Sequence, residues 1–145
     1  MAEPRRVVVE ETGSGFLQRI QAGRHAFLAD EPESAGGEDR GPDPYALLLA
    51  ALGACTSMTL RMYASRKRWP VERITVSLEH GRDHARDCAE TESPGSRIEH
   101  ITREISLTGT ISEAQKQRLL EIAERCPLHR TLTASKHVVT RLAGE

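Results

Sequence analysis

The chain has 145 residues, of which 20 are lysine or arginine and 21 are aspartate or glutamate, and its formal net charge is −1. This length is typical of one domain covering residues 1–145, and the balanced charge lacks the positive field that draws proteins to nucleic acid. Because aromatic residues make up only 3% of the chain, the core must be mainly aliphatic, which favours association with a second chain.

The first part of the chain predicts an antiparallel meander followed by a loop. Arg6 to Glu11, Phe16 to Ala22 and His25 to Ala29 are rich in strand-forming residues, and glycines separate them. Residues 30–42 are rich in glycine, proline and acidic side chains, which is typical of a loop.

A long first helix is predicted next. Asp43 suits the N-cap and Pro44 the first helical position, whereas Pro70 stops the helix at its other end. Since nearly every residue from Tyr45 to Cys55 is apolar, we expect the start of this helix to be buried on all sides and its basic end to face water.

Two half-buried strands are predicted in the second half of the chain. Apolar and polar residues alternate over residues 74–78, a polar loop spans residues 80–97, and Ile101 and Ile105 share one face of the next strand. Arg103 lies on that same apolar face. A cation there needs a partner, unless its stem packs in the core while its head reaches water.

A second helix and a last strand complete the prediction. Ser112 to Gln115 forms a Ser-x-x-Gln capping box, and Cys126 shares the core-facing stripe of the helix that follows. Pro127 is predicted to end this helix, and Ser135 to Leu142 to form the last strand. This order of strands and helices predicts the α+β class.

The chain has no segment that predicts a membrane or secreted protein. Its N-terminus lacks the apolar stretch of a signal peptide, and no run of 18 uncharged residues occurs. We therefore expect a cytoplasmic protein without a membrane partner. Since cytosolic thiols stay reduced, the three cysteines are expected to be packing residues, metal ligands or redox groups.

Cys55 and Cys126 are the candidate reactive residues, although each also fits the role of a small buried hydrophobe. They lie too far apart in the sequence to form a CxxC redox loop or a local metal knuckle. A free thiol is mostly protonated near neutral pH, so a nucleophilic Cys55 needs positive charge beside it. The sequence offers Arg24, Arg103 and Arg130 for this role without choosing between them.

Metal and cofactor sites are not expected. His80, His84 and Cys88 would share one face of a helix, but Gly81 and the neighbouring acidic residues predict a loop, in which this spacing has no special geometry. The sequence also lacks a glycine-rich phosphate loop and a serine nucleophile elbow.

Three segments together carry a family resemblance. GPDPYALLLAALGACTSMTLRMYA, REISLTG and IAERCPLHRTL resemble the OsmC/Ohr family of cysteine-based peroxidases, and the GP-x-PY and CP-x-HRT motifs point to its OsmC-like branch. The resemblance covers residues 23–142. It implies a homodimer of intertwined α+β subunits, with two long helices at the centre and active sites at the subunit interface.

The resemblance also implies the chemistry. Cys55 matches the peroxidatic cysteine, which attacks the O–O bond of an organic hydroperoxide and becomes a sulfenic acid, and Cys126 matches the resolving cysteine, which then forms a disulfide with it. A dithiol such as dihydrolipoamide reduces that bond in Ohr-like members, without a metal or organic cofactor. The implied role is defence against oxidative or osmotic stress.

The sequence departs from the Ohr pattern at the groups that activate the thiol. Ohr-type enzymes pair a glutamate with an arginine of the first hairpin turn, but Tyr45 stands at the glutamate position and residues 12–15 contain no arginine. Arg24 is the nearest substitute, and His129 and Arg130 are candidates to border the pocket. The alternative function is a non-peroxidatic dimeric binding or redox-sensing protein that retains the cysteine-lined pocket.

Overall fold

A computed structural model describes residues 3–81, 84–89 and 100–144 and shows an α+β chain, which confirms the predicted class. It forms two compact units, Met1–Ala50 with His80–Ile101 and Ala51–Glu79 with Thr102–Glu145. The elements in chain order are β1 (Val7–Glu11), β2 (Gln18–Ala22), β3 (His25–Ala29), a 3-10 turn (Glu33–Ala35), α1 (Pro44–Lys67), β4 (Val71–His80), α2 (His84–Ala89), β5 (Ile101–Gly109), α3 (Glu113–Ala123) and α4 (Pro127–Thr133).

The first unit contains the predicted antiparallel meander. β2 lies between β1 and β3, and Ile20 is opposite Val9 on one side and Phe27 on the other. Ile20 is buried together with Leu17 and Ala29, whereas every residue of β1 is exposed. The sheet therefore buries one central patch and leaves its first strand in solvent.

A buried carboxylate organises the loop that follows β3. Asp30 Oδ1 accepts the Glu31 backbone N–H at 2.8 Å, and Oδ2 accepts those of Glu38 and Arg40 at 3.2 Å each. Burial alone would raise the pKa of Asp30, but these three hydrogen bonds and the charge of Arg40 outweigh it and hold that pKa below its usual value. The charged side chain of Asp30 thus holds the loop together through hydrogen bonds to three of its backbone N–H groups.

The GPDPY segment guides the chain from this loop into α1. A Cβ at Gly41 would lie 2.3 Å from the carbonyl oxygen of Leu28, so only glycine fits this close approach. Asp43 Oδ1 then accepts the Ala46 N–H at 2.9 Å, and Pro44 is the first helical residue. Both predictions for the start of α1 are confirmed.

The prediction that the start of α1 is buried on all sides is wrong. The buried residues of the helix form one stripe at four-residue spacing, and Ala50, Ala51 and Ala54 are exposed. A single chain supplies neighbours for one side only, so the remaining apolar residues reach solvent. By length and composition α1 is also long and apolar enough to cross a membrane, a property that it shares with core helices of soluble proteins and with signal sequences.

The second unit has its own aliphatic core. Leu60, Leu119 and Ile122 are buried there beside Val71, and Ile105 packs against them. Ser112 and Gln115 form the predicted capping box at the start of α3, each side chain bonding the other's backbone N–H. β4 and β5 form a two-stranded sheet.

Pro127 begins a helix instead of ending one. α3 stops at Ala123, and Cys126 has an extended backbone (φ −63°, ψ 144°) as the N-cap of α4. The residue before a proline avoids helical geometry, whereas proline itself fits the first turn of a helix. The predicted position of Cys126 within the stripe of a continuous helix is therefore wrong, although Cys126 is buried.

Two other predictions for secondary structure are also wrong. Ser135 to Leu142 forms no strand, and Val138 and Val139 are exposed, since this segment pairs with none of the strands among the described residues. The predicted loop over residues 80–97 contains the short helix α2, where Ala85 to Ala89 favour helix over loop. The rest of that loop, apart from its first two residues, lies outside the described residues.

Replacing Leu119 by alanine should destabilise the second unit, since this side chain is 0% exposed in the core. We expect Leu119→Ala to lower the free energy of unfolding by about 3 kcal/mol, measured by urea denaturation. Leu120 is the matched control, because it follows in the same helix and is 42% exposed. Equal losses for Leu119→Ala and Leu120→Ala would contradict the burial pattern.

The stabilising effect of Asp30 should depend on pH. Because its pKa is lower in the folded chain than in the unfolded one, its contribution is complete above about pH 4 and is lost as the pH falls through the folded-state value. Asp30→Asn should therefore destabilise the protein at neutral pH and much less in acid, by urea denaturation at each pH. The exposed Asp39 provides the control, and Asp39→Asn should change stability little at either pH.

Candidate active site

Cys126 lies at the centre of a polar cluster inside the second unit. Its side chain is 0% exposed, and its sulfur accepts the backbone N–H of His129 at 3.3 Å as the N-cap of α4. The hydroxyl of Thr56, which is also fully buried, lies 3.8 Å from the same sulfur. Local backbone geometry fixes the sulfur, since the extended residue before Pro127 turns its side chain toward the helix it caps.

Arg103 links the strand β5 to this cluster. One guanidinium nitrogen, Nη1, donates to Thr56 Oγ1 at 3.0 Å and lies 4.0 Å from the sulfur of Cys126, while Nη2 lies 3.0 Å from His129 Nδ1. The side chain is half-buried on the same face of β5 as Ile105. The cation on the apolar strand face thus has hydrogen-bonding partners within the fold.

The two ring nitrogens of His129 have different partners. Because Arg103 can only donate, Nδ1 must accept, which assigns the proton of a neutral ring to Nε2. Nε2, which then carries the proton, lies 3.1 Å from Glu124 Oε2. His129 therefore holds one end of the Arg103 guanidinium by a hydrogen bond, and Glu124 lies beside the opposite side of the imidazole ring.

Cys55 occupies the residue before Thr56 in α1. Its thiol is half-buried, whereas that of Cys126 is buried, and neither of these two cysteines is in a disulfide. Successive helical residues point about 100° apart, so the side chain of Cys55 points in a different direction from that of Thr56, which faces the buried cluster. Among the described residues, no hydrogen bond reaches the sulfur of Cys55.

The other candidate residues lie elsewhere. Arg24 is exposed in the turn between β2 and β3 of the first unit, and Arg130 is exposed near the end of α4. Tyr45, in the first unit, donates its hydroxyl proton to Asp87, and its ring meets the ring of His80 edge-on at 5.0 Å between centroids. The second unit thus brings together Cys126, Arg103 and His129 of the predicted set.

Thr56 and Glu124 belong to the cluster but were not predicted. Thr56 was detectable, because it is a polar residue in the otherwise apolar stripe Leu52, Leu60 and Ala64 and directly follows Cys55. Glu124 carries no such signal, since an acidic residue at a helix end usually faces water. Its role depends on the turn that brings His129 back over the end of α3.

Outside this cluster, the described residues hold no group of three or more histidine, cysteine or acidic side chains able to bind a metal ion. The first unit has a cavity of about 380 Å³ lined by Phe16, Asp30 and the exposed Cys88, among others. This cavity shares no lining residue with the Cys126 cluster.

Sequence comparison relates the chain to a known family. The family model described as OsmC-like protein matches residues 36–141, a range that contains Cys55, Arg103, Cys126 and His129. No curated protein matches the chain.

Several solved structures have a similar fold. An OsmC-like protein from Mycoplasma pneumoniae is 20% identical with a TM-score of 0.72, and the match covers 91% of this chain and 89% of that one. An organic hydroperoxide resistance protein OsmC from Legionella pneumophila is 16% identical with a TM-score of 0.64, covering 92% and 91%. The organic hydroperoxide resistance protein OhrB of Bacillus subtilis is 18% identical with a TM-score of 0.57, and the match covers 90% of this chain and 91% of that one. At these identities the likeness shows the fold.

Proposed function

The chain belongs to the family of OsmC-like proteins, and on that premise we propose that it is a thiol-dependent peroxidase that reduces organic hydroperoxides in oxidative or osmotic stress. The observation that carries this proposal is the pair of thiols outside any disulfide, Cys55 and Cys126: Cys55 precedes Thr56 in α1, and the buried hydroxyl of Thr56 lies 3.8 Å from the sulfur of Cys126. Two solved structures with this fold are named for organic hydroperoxide resistance, which supports the choice of substrate class.

In the proposed reaction Cys55 is the peroxidatic residue. Its thiolate sulfur bonds to one peroxide oxygen, the O–O bond breaks, and the leaving alkoxide takes a proton to become an alcohol. Cys55 is then a sulfenic acid, which Cys126 converts into a disulfide with release of water. A dithiol such as dihydrolipoamide restores both thiols by exchange, and no step needs a metal or organic cofactor.

We further propose that the protein works as a homodimer in the cytoplasm. Met58 and Met62 are 60% and 63% exposed on α1, and with Ile74 they line an open groove of about 430 Å³ in the second unit. A second copy covering this face would remove large apolar side chains from water. The cytoplasm keeps thiols reduced between turnovers.

One observation favours a second candidate function, a ligand-binding or redox-sensing protein. Tyr45 stands where Ohr-type enzymes have the glutamate that pairs with the activating arginine, and its hydroxyl is hydrogen-bonded to Asp87. A protein without the activating pair would oxidise Cys55 slowly and signal through the disulfide, or leave both thiols intact beside a bound ligand.

Stoichiometric oxidation tests the peroxidase. After one equivalent of cumene hydroperoxide, we expect the reduced protein to lose two hydrogens and two thiols, because Cys55 and Cys126 form the disulfide. Intact mass and a free-thiol count measure both changes. Cys126→Ser should stop at a sulfenic acid, and Cys55→Ser should not react.

Cys88→Ser is the control for this experiment, and it should behave as the wild type because Cys88 has no part in the reaction. Survival of all three thiols would eliminate the peroxidase. One round of oxidation that no dithiol reverses catalytically would support the redox sensor instead.

The proposed dimer depends on the exposed face of α1. Introducing two charges with Met58→Lys and Met62→Lys should convert dimers into monomers, since each lysine would have to lose its hydration at the interface. Light scattering after size exclusion measures the mass. Leu120→Lys is a control at an exposed leucine of another helix, and a wild type that is monomeric at every concentration would refute the dimer.

A further inference from the structure

We infer that Arg103 and Thr56 are catalytic residues of the disulfide-forming step, in which they prepare Cys126 to attack the oxidised sulfur of Cys55. This inference rests on the proposed function for the origin of that oxidised sulfur. It differs from the Ohr pattern described above, in which an arginine acts on the first cysteine. Here the guanidinium lies 4.0 Å from the sulfur of Cys126.

The hydrogen-bond inventory of Thr56 defines the resting state of Cys126. A threonine hydroxyl has one proton, and Thr56 donates it to the carbonyl of Leu52 at 2.7 Å. The same oxygen accepts from Arg103 at 3.0 Å. At 3.8 Å between oxygen and sulfur, the remaining contact therefore has the Cys126 thiol as donor and Thr56 as acceptor.

The same groups can hold the sulfur once that proton leaves. The His129 backbone N–H already points at the sulfur at 3.3 Å, and Arg103 presents a charged donor. The Thr56 hydroxyl can rotate its proton from Leu52 to the sulfur, because the Leu52 carbonyl retains the backbone hydrogen bond of the helix. Charge-assisted hydrogen bonds of this kind are the strong ones in proteins.

His129 and Glu124 act as positioning residues for Arg103. Nδ1 of His129 accepts from Nη2, and Glu124 Oε2 lies 3.1 Å from Nε2 of the same ring, so the guanidinium is held on the side away from the sulfur. Its other nitrogen is then held against Thr56 and Cys126. A lysine has no such fork and cannot contact both ends at once.

The disulfide-forming step conserves atoms and electrons. The thiolate of Cys126 attacks the sulfur of the Cys55 sulfenic acid, a sulfur–sulfur bond forms, and the sulfur–oxygen bond breaks. Cys126 is oxidised and Cys55 is reduced by the same amount. The hydroxide that leaves combines with the proton released by Cys126 to form water. Because Cys126 is fully buried, its thiol is protected from reagents in solution, and in the proposed step it reacts with Cys55.

Single-turnover kinetics in a Cys88→Ser background test the inference. We expect Arg103→Met to slow disulfide formation about ten-fold or more while sulfenic acid forms at the wild-type rate, so that dimedone traps Cys55. Arg103→Lys should be intermediate, Thr56→Val slow, and Thr56→Ser close to wild type. Arg125→Met is the control, because it removes an exposed arginine next to Cys126.

A second reaction separates this inference from the proposed function. Methyl methanethiosulfonate converts Cys55 into a methyl disulfide, which Cys126 attacks with release of methanethiol, and no peroxide takes part. The same variants should slow this release in the same order, even if the protein proves unreactive toward hydroperoxides.

Three results would overturn the inference. The first is an unchanged rate in both Arg103→Met and Thr56→Val, and the second is a wild type whose methyl disulfide never reacts with Cys126. The third is an Arg103→Met variant slowed equally in sulfenic acid formation, which would place the arginine on Cys55. If Arg103→Met does not fold, Arg103→Lys and Thr56→Val decide the question.

Discussion

The candidate site depends on the placement of one guanidinium group. Arg103 comes from the apolar face of β5, and a cation there is tolerated only because its donors are matched by Thr56, His129 and the sulfur of Cys126. Through these contacts a strand, the long helix and the last short helix share one polar centre inside the second unit. The cation thereby links three elements of the fold, and the mechanism proposed above gives it a chemical role as well.

The two cysteines of the candidate site have different surroundings, and this bears on which is the more reactive. Cys126 is enclosed by donors, whereas Cys55 is half-buried and, within the described residues, has no hydrogen bond at its sulfur. In the Ohr pattern, by contrast, the arginine activates the first cysteine. If the proposed peroxidase is correct, the positive charge for its first step comes from a group other than those that contact the sulfur of Cys126.

The sequence predicted the structural features that depend on a few adjacent residues. It did not predict those that depend on residues distant in the chain or on neighbours that a single chain does not supply. Asp43 and Pro44 begin α1, and Ser112 caps α3, because each depends on a few adjacent residues. Cys126 was misplaced because the extended residue before a proline can end one helix and begin another. The partners of Arg103 were unpredictable, since they come from segments far apart in the chain. The burial of the start of α1 was overestimated, because one chain covers only part of its apolar surface.

The N-cap position of Cys126 makes helix α4 and the oxidation state of its sulfur thermodynamically linked. The sulfur accepts a backbone N–H of the first turn and donates its proton to Thr56, and a disulfide sulfur has no proton to donate, so oxidation changes the contacts of the cap. Linkage is reciprocal: any difference that oxidation of this sulfur makes to the stability of α4 is matched by an equal difference that formation of α4 makes to the oxidation. In the proposed peroxidase, the reduction potential of the cysteine pair would therefore depend in part on the seven residues of α4.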